Sequence, residues 1–145
     1  MGIRFSLIRI VSRFHVYIYR ISRGRVGKQI GALRFLLLTT VGRKSGKKRT
    51  VPLTAIPYGS KYILVASFGG SSVHPAWLTN IQKNPNVEIR DGTTVKQAKA
   101  SIVGTTHPSH KEMWGKAAAT YAGYNDYKKA TSRRIPIVII TPYED

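Results

Sequence analysis

Two runs of apolar and β-branched residues, Phe35–Val41 and Arg49–Ala55, flank a short cluster of Gly, Ser and Lys in the stretch FLLLTTVGRKSGKKRTVPL. Runs of this length bounded by turn residues read as strands, and two of them so close together read as an antiparallel hairpin. That hairpin narrows the folds open to the chain. Downstream, Lys61–Phe68 (KYILVASF) is a third strand after the turn Tyr58-Gly59-Ser60, and Val87–Arg90 with Thr94–Val103 makes a second hairpin around Asp91-Gly92. Ile135–Thr141 (IPIVIIT) is a final buried strand. Helical signals punctuate these strands: Pro75–Lys83 turns Trp77, Leu78 and Ile81 to one side, and Thr106–Thr120 does the same with Met113, Trp114, Ala117 and Ala118. Hairpins outnumber βαβ units, so the expected class is α+β. About six mainly antiparallel strands close or half-close into a barrel, with an N-terminal helix and peripheral helices.

The turn of the first hairpin carries chemistry. Gly42 and Gly46 allow a tight backbone, and Arg43, Lys44, Lys47, Lys48 and Arg49 crowd cations around it. This is an anion cradle built on a hairpin. It lacks the GxxxxGK[ST] spacing of a nucleotide-binding P-loop, and a solvated basic loop fits the same residues. The whole chain shares the bias: 24 Lys and Arg against 6 Asp and Glu in 145 residues give a net charge of +18, and the first acid is Glu88. Such a surface attracts nucleic acid, anionic lipid or an acidic small molecule. The absence of cysteine removes disulfides, thiolate metal sites and cysteine nucleophiles, and suits a reducing compartment.

Residues 1–25 have helical periodicity. Ile3, Leu7, Ile10, Val11, Phe14, Ile18 and Ile21 fall on one side and Arg9, Arg13, Arg20 and Arg23 on the other. Arginines interrupt every apolar run well short of the ~20 residues that cross a bilayer. The pattern is that of a basic helix lying in a membrane interface, and it also fits a helix laid on the core. Met1-Gly2-Ile3-Arg4-Phe5-Ser6 nominally matches an N-myristoylation pattern, a short motif of little weight. The expected division is residues 1–28 as helix and linker and residues 29–145 as the barrel.

Three blocks in order, LLLTTVGRKSGKKRTVPL at 36–53, VASFGGSSVHPAWLTNIQKNPNVEI at 65–89 and YAGYNDYKKATSRRIPIVIITP at 121–142, resemble the deazaflavin-dependent nitroreductase family. These are small split β-barrel (FMN-binding-like) oxidoreductases of actinobacteria and some archaea that use reduced coenzyme F-420. The resemblance implies that Arg43, Lys44, Ser45 and Arg49 grip the phosphate and acidic tail of the coenzyme. Thr50, Val51, Pro52, Leu53 and Thr54 would line the deazaflavin edge, and Val65, Ala66, Ser67 and Phe68 the strand end along the ring. Ala76, Trp77, Leu78, Thr79 and Asn80 match the helix start beside the ring. Tyr121, Tyr124 and Tyr127 match tyrosines that shape the substrate pocket. Thr54 stands where some relatives place a tyrosine, and Phe68 where some place a lysine.

The tyrosines recur every third residue, so in a helical segment they share a side, as pocket wall or as core. Trp77, Trp114 and Met113 read first as core. His15, His74, His107 and His110 have no acidic partners nearby in sequence, and no metal site is expected. The expected activity is hydride transfer from reduced F-420 to a quinone-like or nitro-aromatic acceptor, with Ser67 and the three tyrosines as catalytic candidates. The expected location is cytoplasmic, peripheral to the membrane. An FMN- or haem-binding split barrel, a lipid-directed relative and a non-catalytic nucleic-acid-binding module are the alternatives. Nucleic acid is disfavoured because the tyrosines and cations do not alternate along a strand platform.

Overall fold

The computed structural model describes residues 3–144, with side chains from residue 6 onward. Residues 1 and 2, and with them the Gly2 of the myristoylation pattern, lie outside the described residues. Among the described residues, eight strands and four helices follow the order expected, with two short strands and a helix over the tyrosine-rich segment added. Helix α1 (Ile3–Ile21) leads to β1 (Gln29–Ile30), β2 (Leu33–Val41), β3 (Lys48–Thr54), β4 (Ile56–Tyr58) and β5 (Lys61–Val65). A 3₁₀ turn (Phe68–Gly70), α2 (Ala76–Lys83), β6 (Asn86–Asp91) and β7 (Thr94–Val103) come next. Helices α3 (His110–Thr120) and α4 (Gly123–Ala130) precede the last strand, β8 (Ile137–Pro142).

All strand pairings are antiparallel and run β3–β2–β6–β7–β8–β5–β4, with β1 added to β2. Strands β3 and β4 are the two ends of that path, yet only Ala55 separates them in the chain. The sheet must therefore curl until its ends meet. Ala55 marks the corner and donates its N–H to the Arg34 carbonyl at 2.9 Å. Period-two alternation then sends Leu36, Leu38, Leu64, Val87, Ile89, Ala98, Ala100, Val138 and Ile140 inward, with α2 sealing the interior through Trp77, Leu78 and Ile81. Residues of the opposite parity, Ile63, Val65, Ile137 and Ile139, pack under α3 and α4 against Met113, Trp114, Ala117 and Tyr124.

Helix α1 packs its core contacts on the barrel through a third face, between the apolar stripe and the arginine ridge. Val16 and the fully buried Tyr19 pack on Leu37. The Tyr19 hydroxyl accepts the Gly92 N–H at 2.7 Å inside the β6–β7 turn. Glycine is required at that crossing, because a Cβ on Gly24 would stand 2.6 Å from Gly92 Cα. Asp91 fastens the same corner: Arg34 Nη2 donates to both of its oxygens (3.0 and 3.2 Å), Tyr62 donates at 2.9 Å, and Lys28 lies 3.6 Å away. The apolar stripe consequently faces outward, with Leu7, Ile10, Phe14 and Ile21 each 57–66% exposed. No described helix is long and apolar enough to cross a membrane.

Candidate active site

The basic turn between β2 and β3 is held in shape by the protein itself. Gly42 N–H donates to the Lys47 carbonyl and Gly46 N–H to the Gly42 carbonyl, both at 2.8 Å, while Ser45 Oγ accepts the Lys47 N–H at 3.1 Å. Gly46 has a positive φ of 71°, and a Cβ on Gly42 would lie 2.8 Å from Ser45 Oγ and 3.1 Å from the Lys47 carbonyl. Asn80, 3% exposed, anchors the turn to α2: its Oδ1 accepts the Arg43 N–H at 3.1 Å and its Nδ2 donates to Thr40 Oγ1 at 3.0 Å. Lys83 adds a 2.7 Å bond to the Arg43 carbonyl. With four of its N–H groups already paired, the turn holds an anion chiefly through the exposed side chains of Arg43, Lys44, Lys47, Lys48 and Arg49.

From the turn an open groove of about 1960 Å³ runs along β3 to the tyrosines of α4. It brings together most of the residues that the sequence singles out: Arg43, Lys44, Ser45 and Arg49, the β3 stretch Thr50–Thr54, Val65, Ser67 and Phe68, Ala76, Trp77, Thr79 and Asn80, and Tyr121, Tyr124 and Tyr127. Ala66 and Leu78 stand apart from this lining, each fully buried in the barrel interior by strand and helix periodicity. Tyr121 and Tyr127 share a hydroxyl contact of 3.1 Å, and the Tyr121 ring meets Tyr124 edge-on at 5.1 Å. Burial raises the pKa of Tyr124, an effect partly offset by its hydrogen bond to Thr54. Tyr124 is therefore a phenol, not a phenolate, at neutral pH, and the residue at position 54 is joined to it directly.

Arg133 is the functional residue that sequence reading passed over. Its guanidinium donates to three carbonyls, Ser71 (3.0 Å), Ala66 (3.2 Å) and Ser67 (2.8 Å), and to His74 Nδ1 at 2.8 Å. These bonds hold the segment after β5 in an unusual conformation, with positive φ at Phe68 (43°), Gly69 (60°) and Gly70 (77°). A bulky residue in the left-handed region is strained, and it persists because the surroundings over-determine it. Burial and the neighbouring Arg133 charge lower the pKa of His74, which keeps its ring neutral and its Nδ1 free of a proton. Helix α1 contributes as well: Arg9, Arg13 and Arg20 line the groove, and Arg20 Nη2 donates to Thr50 Oγ1 at 3.0 Å.

A cationic mouth leading to a pocket of aromatic rings and hydroxyls suits a flat heteroaromatic ring carrying an anionic tail. The family model for F420H(2)-dependent quinone reductases matches residues 11–142. The chain belongs to this family. The F420H(2)-dependent quinone reductase Rv1261c of Mycobacterium tuberculosis (strain ATCC 25618 / H37Rv) is 39% identical over 131 residues, 89% of this chain and 88% of that protein. A solved F420-H2 dependent reductase (FDR-A) superposes with a TM-score of 0.65 at 38% identity, covering 73% of this chain and 92% of that one. A second structure, described as a domain-swapped dimer, gives 0.69 at 34% identity over 88% of this chain and 96% of its own. HutZ, the heme storage protein from Vibrio cholerae, shares the split-barrel fold alone, at 15% identity with a TM-score of 0.60 over 77% of this chain and 82% of that one. As a member of this family the chain is an oxidoreductase whose cofactor is coenzyme F-420. Its groove suits that coenzyme in charge: eight cationic side chains line it against one carboxylate, Glu88.

Proposed function

We propose that this quinone reductase works at the cytoplasmic face of the membrane, passing electrons from reduced F-420 to a quinone dissolved there. The side chains of Arg43, Lys44 and Arg49 would hold the phosphate of the coenzyme, where its acidic tail begins, with Ser45 shaping the turn. Thr50, Val51, Pro52, Leu53 and Thr54 lie along the ring edge, opposite Val65, Ser67 and Phe68 and the start of α2. When bound, the reduced deazaflavin supplies a hydride from C5. Two-electron reduction leaves negative charge on a quinone oxygen, which needs one proton. Tyr124 is the donor, supported by the protonated state that burial imposes on it, with Ser67 as a second hydroxyl in the same groove and Tyr121 and Tyr127 walling the acceptor. No carboxylate base is needed for this step.

The observation carrying the reading is that the cationic turn and the buried phenol open onto one continuous groove. The membrane part rests on α1: its apolar stripe points away from the barrel, and the +18 charge draws the molecule toward anionic headgroups. Turnover of reduced F-420 with menadione should fall in Tyr124→Phe. Separately, deleting residues 1–14 should abolish cosedimentation with phosphatidylglycerol vesicles, and undiminished vesicle binding would remove α1 as the anchor. A nitro-aromatic acceptor is the second reading. It is favoured by the three-tyrosine wall, and a higher kcat/KM for a nitroimidazole than for menadione would establish it.

A further inference from the structure

We infer that the arginine ridge of α1 is part of the coenzyme site and takes the carboxylates of the glutamyl tail of F-420. This rests on the coenzyme reading above and extends it to an element whose sequence periodicity fits a membrane interface or the core. Three observations carry it. Arg9, Arg13 and Arg20 line the same groove as the basic turn. They recur at spacings of four and seven residues, which puts them on one ridge of the helix spanning about 16 Å. The ridge is fixed in place: Tyr19 is locked into the β6–β7 turn, His15 Nε2 donates to the Gly27 carbonyl at 2.6 Å, and Arg20 bonds Thr50, which in turn meets Thr39 Oγ1 at 2.7 Å.

The division of labour follows from chemistry. The coenzyme carries one phosphate, and the basic turn alone lines the groove with four cations, Arg43, Lys44, Lys48 and Arg49. A tail of successive carboxylates needs a row of positive charge instead of a cluster, and a helix ridge supplies a row. Guanidinium groups also suit carboxylates through paired N–H donors. Helix α1 thus presents two outward surfaces, with the apolar stripe turned away from the groove and the arginines turned along it.

The test compares two probes on the full chain by fluorescence titration at low salt: F-420 with its glutamyl tail, and the form ending at the lactyl phosphate. Arg9→Gln/Arg13→Gln keeps helix-forming residues while removing two charges. Affinity for the tailed form should drop about tenfold, and affinity for the tail-less form should change less than twofold. Lys44→Ala should instead weaken both forms alike, because both carry the phosphate. Equal loss of both forms in the double variant, or loss of neither, overturns the inference. Loss of phosphatidylglycerol vesicle binding with unchanged affinity for the tailed form overturns it too, and returns the arginines to the lipid surface. If the wild-type protein bound neither probe, the coenzyme reading itself would fail. That result is distinct from all of these.

Discussion

Replacing Arg133 by alanine removes four hydrogen bonds at once from a segment that needs them. Three end on backbone carbonyls of Ala66, Ser67 and Ser71 and one on His74. A hydrogen bond from a charged donor contributes about 1.5–3 kcal/mol net. The site is half-buried, so water can reclaim part of what is lost, and the left-handed Phe68 relaxes once released. The two corrections bring the sum down to about 3 kcal/mol, a drop in Tm of roughly 10 °C for a chain of this length. Urea denaturation should show the midpoint moving with the slope unchanged. Arg133→Lys keeps the charge but cannot span three carbonyls, and should recover less than half of the loss. Because Ser67 and Phe68 line the groove, KM for reduced F-420 should rise in both variants. A loss below about 1 kcal/mol for Arg133→Ala, or full rescue by lysine, would refute the idea that the fork holds the segment.

Three further outcomes follow from the same geometry. Tyr124→Phe should lower kcat at least tenfold with little effect on coenzyme affinity, and wild-type kcat should stay flat from about pH 6 to 9, since burial keeps the phenol protonated. Asp91 is pushed up by burial, but the hydrogen bonds from Tyr62 and Arg34 and the charges of Arg34 and Lys28 outweigh this and lower its pKa. Its contribution is present above the ordinary carboxylate range and lost as pH falls through the lowered value, so Asp91→Asn should cost about 1–2 kcal/mol at pH 7. The urea midpoints of wild type and variant should converge as pH falls below the ordinary carboxylate range and through the lowered value. Gly42→Ala should raise the coenzyme Kd severalfold while leaving Tm nearly unchanged, because the new methyl displaces Ser45 Oγ from the Lys47 N–H in an exposed turn.

Much of the barrel was legible because its long strands are apolar and β-branched runs bounded by turn residues. Thr94–Val103 is the same span in sequence and structure, and α2 begins one residue after Pro75. The two short strands were not legible. Gln29–Ile30 has exposed side chains throughout, and Ile56–Tyr58 follows β3 after a single alanine and is too short to show a period of its own. The helix wheel of α1 separated apolar from basic faces correctly, but docking uses a narrow third face around Tyr19 that no periodicity distinguishes. Most of the groove lining was readable from the turn chemistry and the family resemblance together. Arg133 was hidden because its partners are carbonyls more than sixty residues away, and carbonyls leave no mark on composition. Its one local signal is an arginine a few residues before a buried strand, which also describes ordinary surface residues.

The most direct test of the account is to titrate the purified chain with reduced F-420, follow the coenzyme fluorescence, and then add menadione. Saturable binding followed by quinone-dependent return of the oxidised chromophore is expected, with affinity reduced at least tenfold in Lys44→Ala/Arg49→Ala. Binding that is indifferent to those two residues, or coenzyme that stays reduced in the presence of menadione, would contradict it.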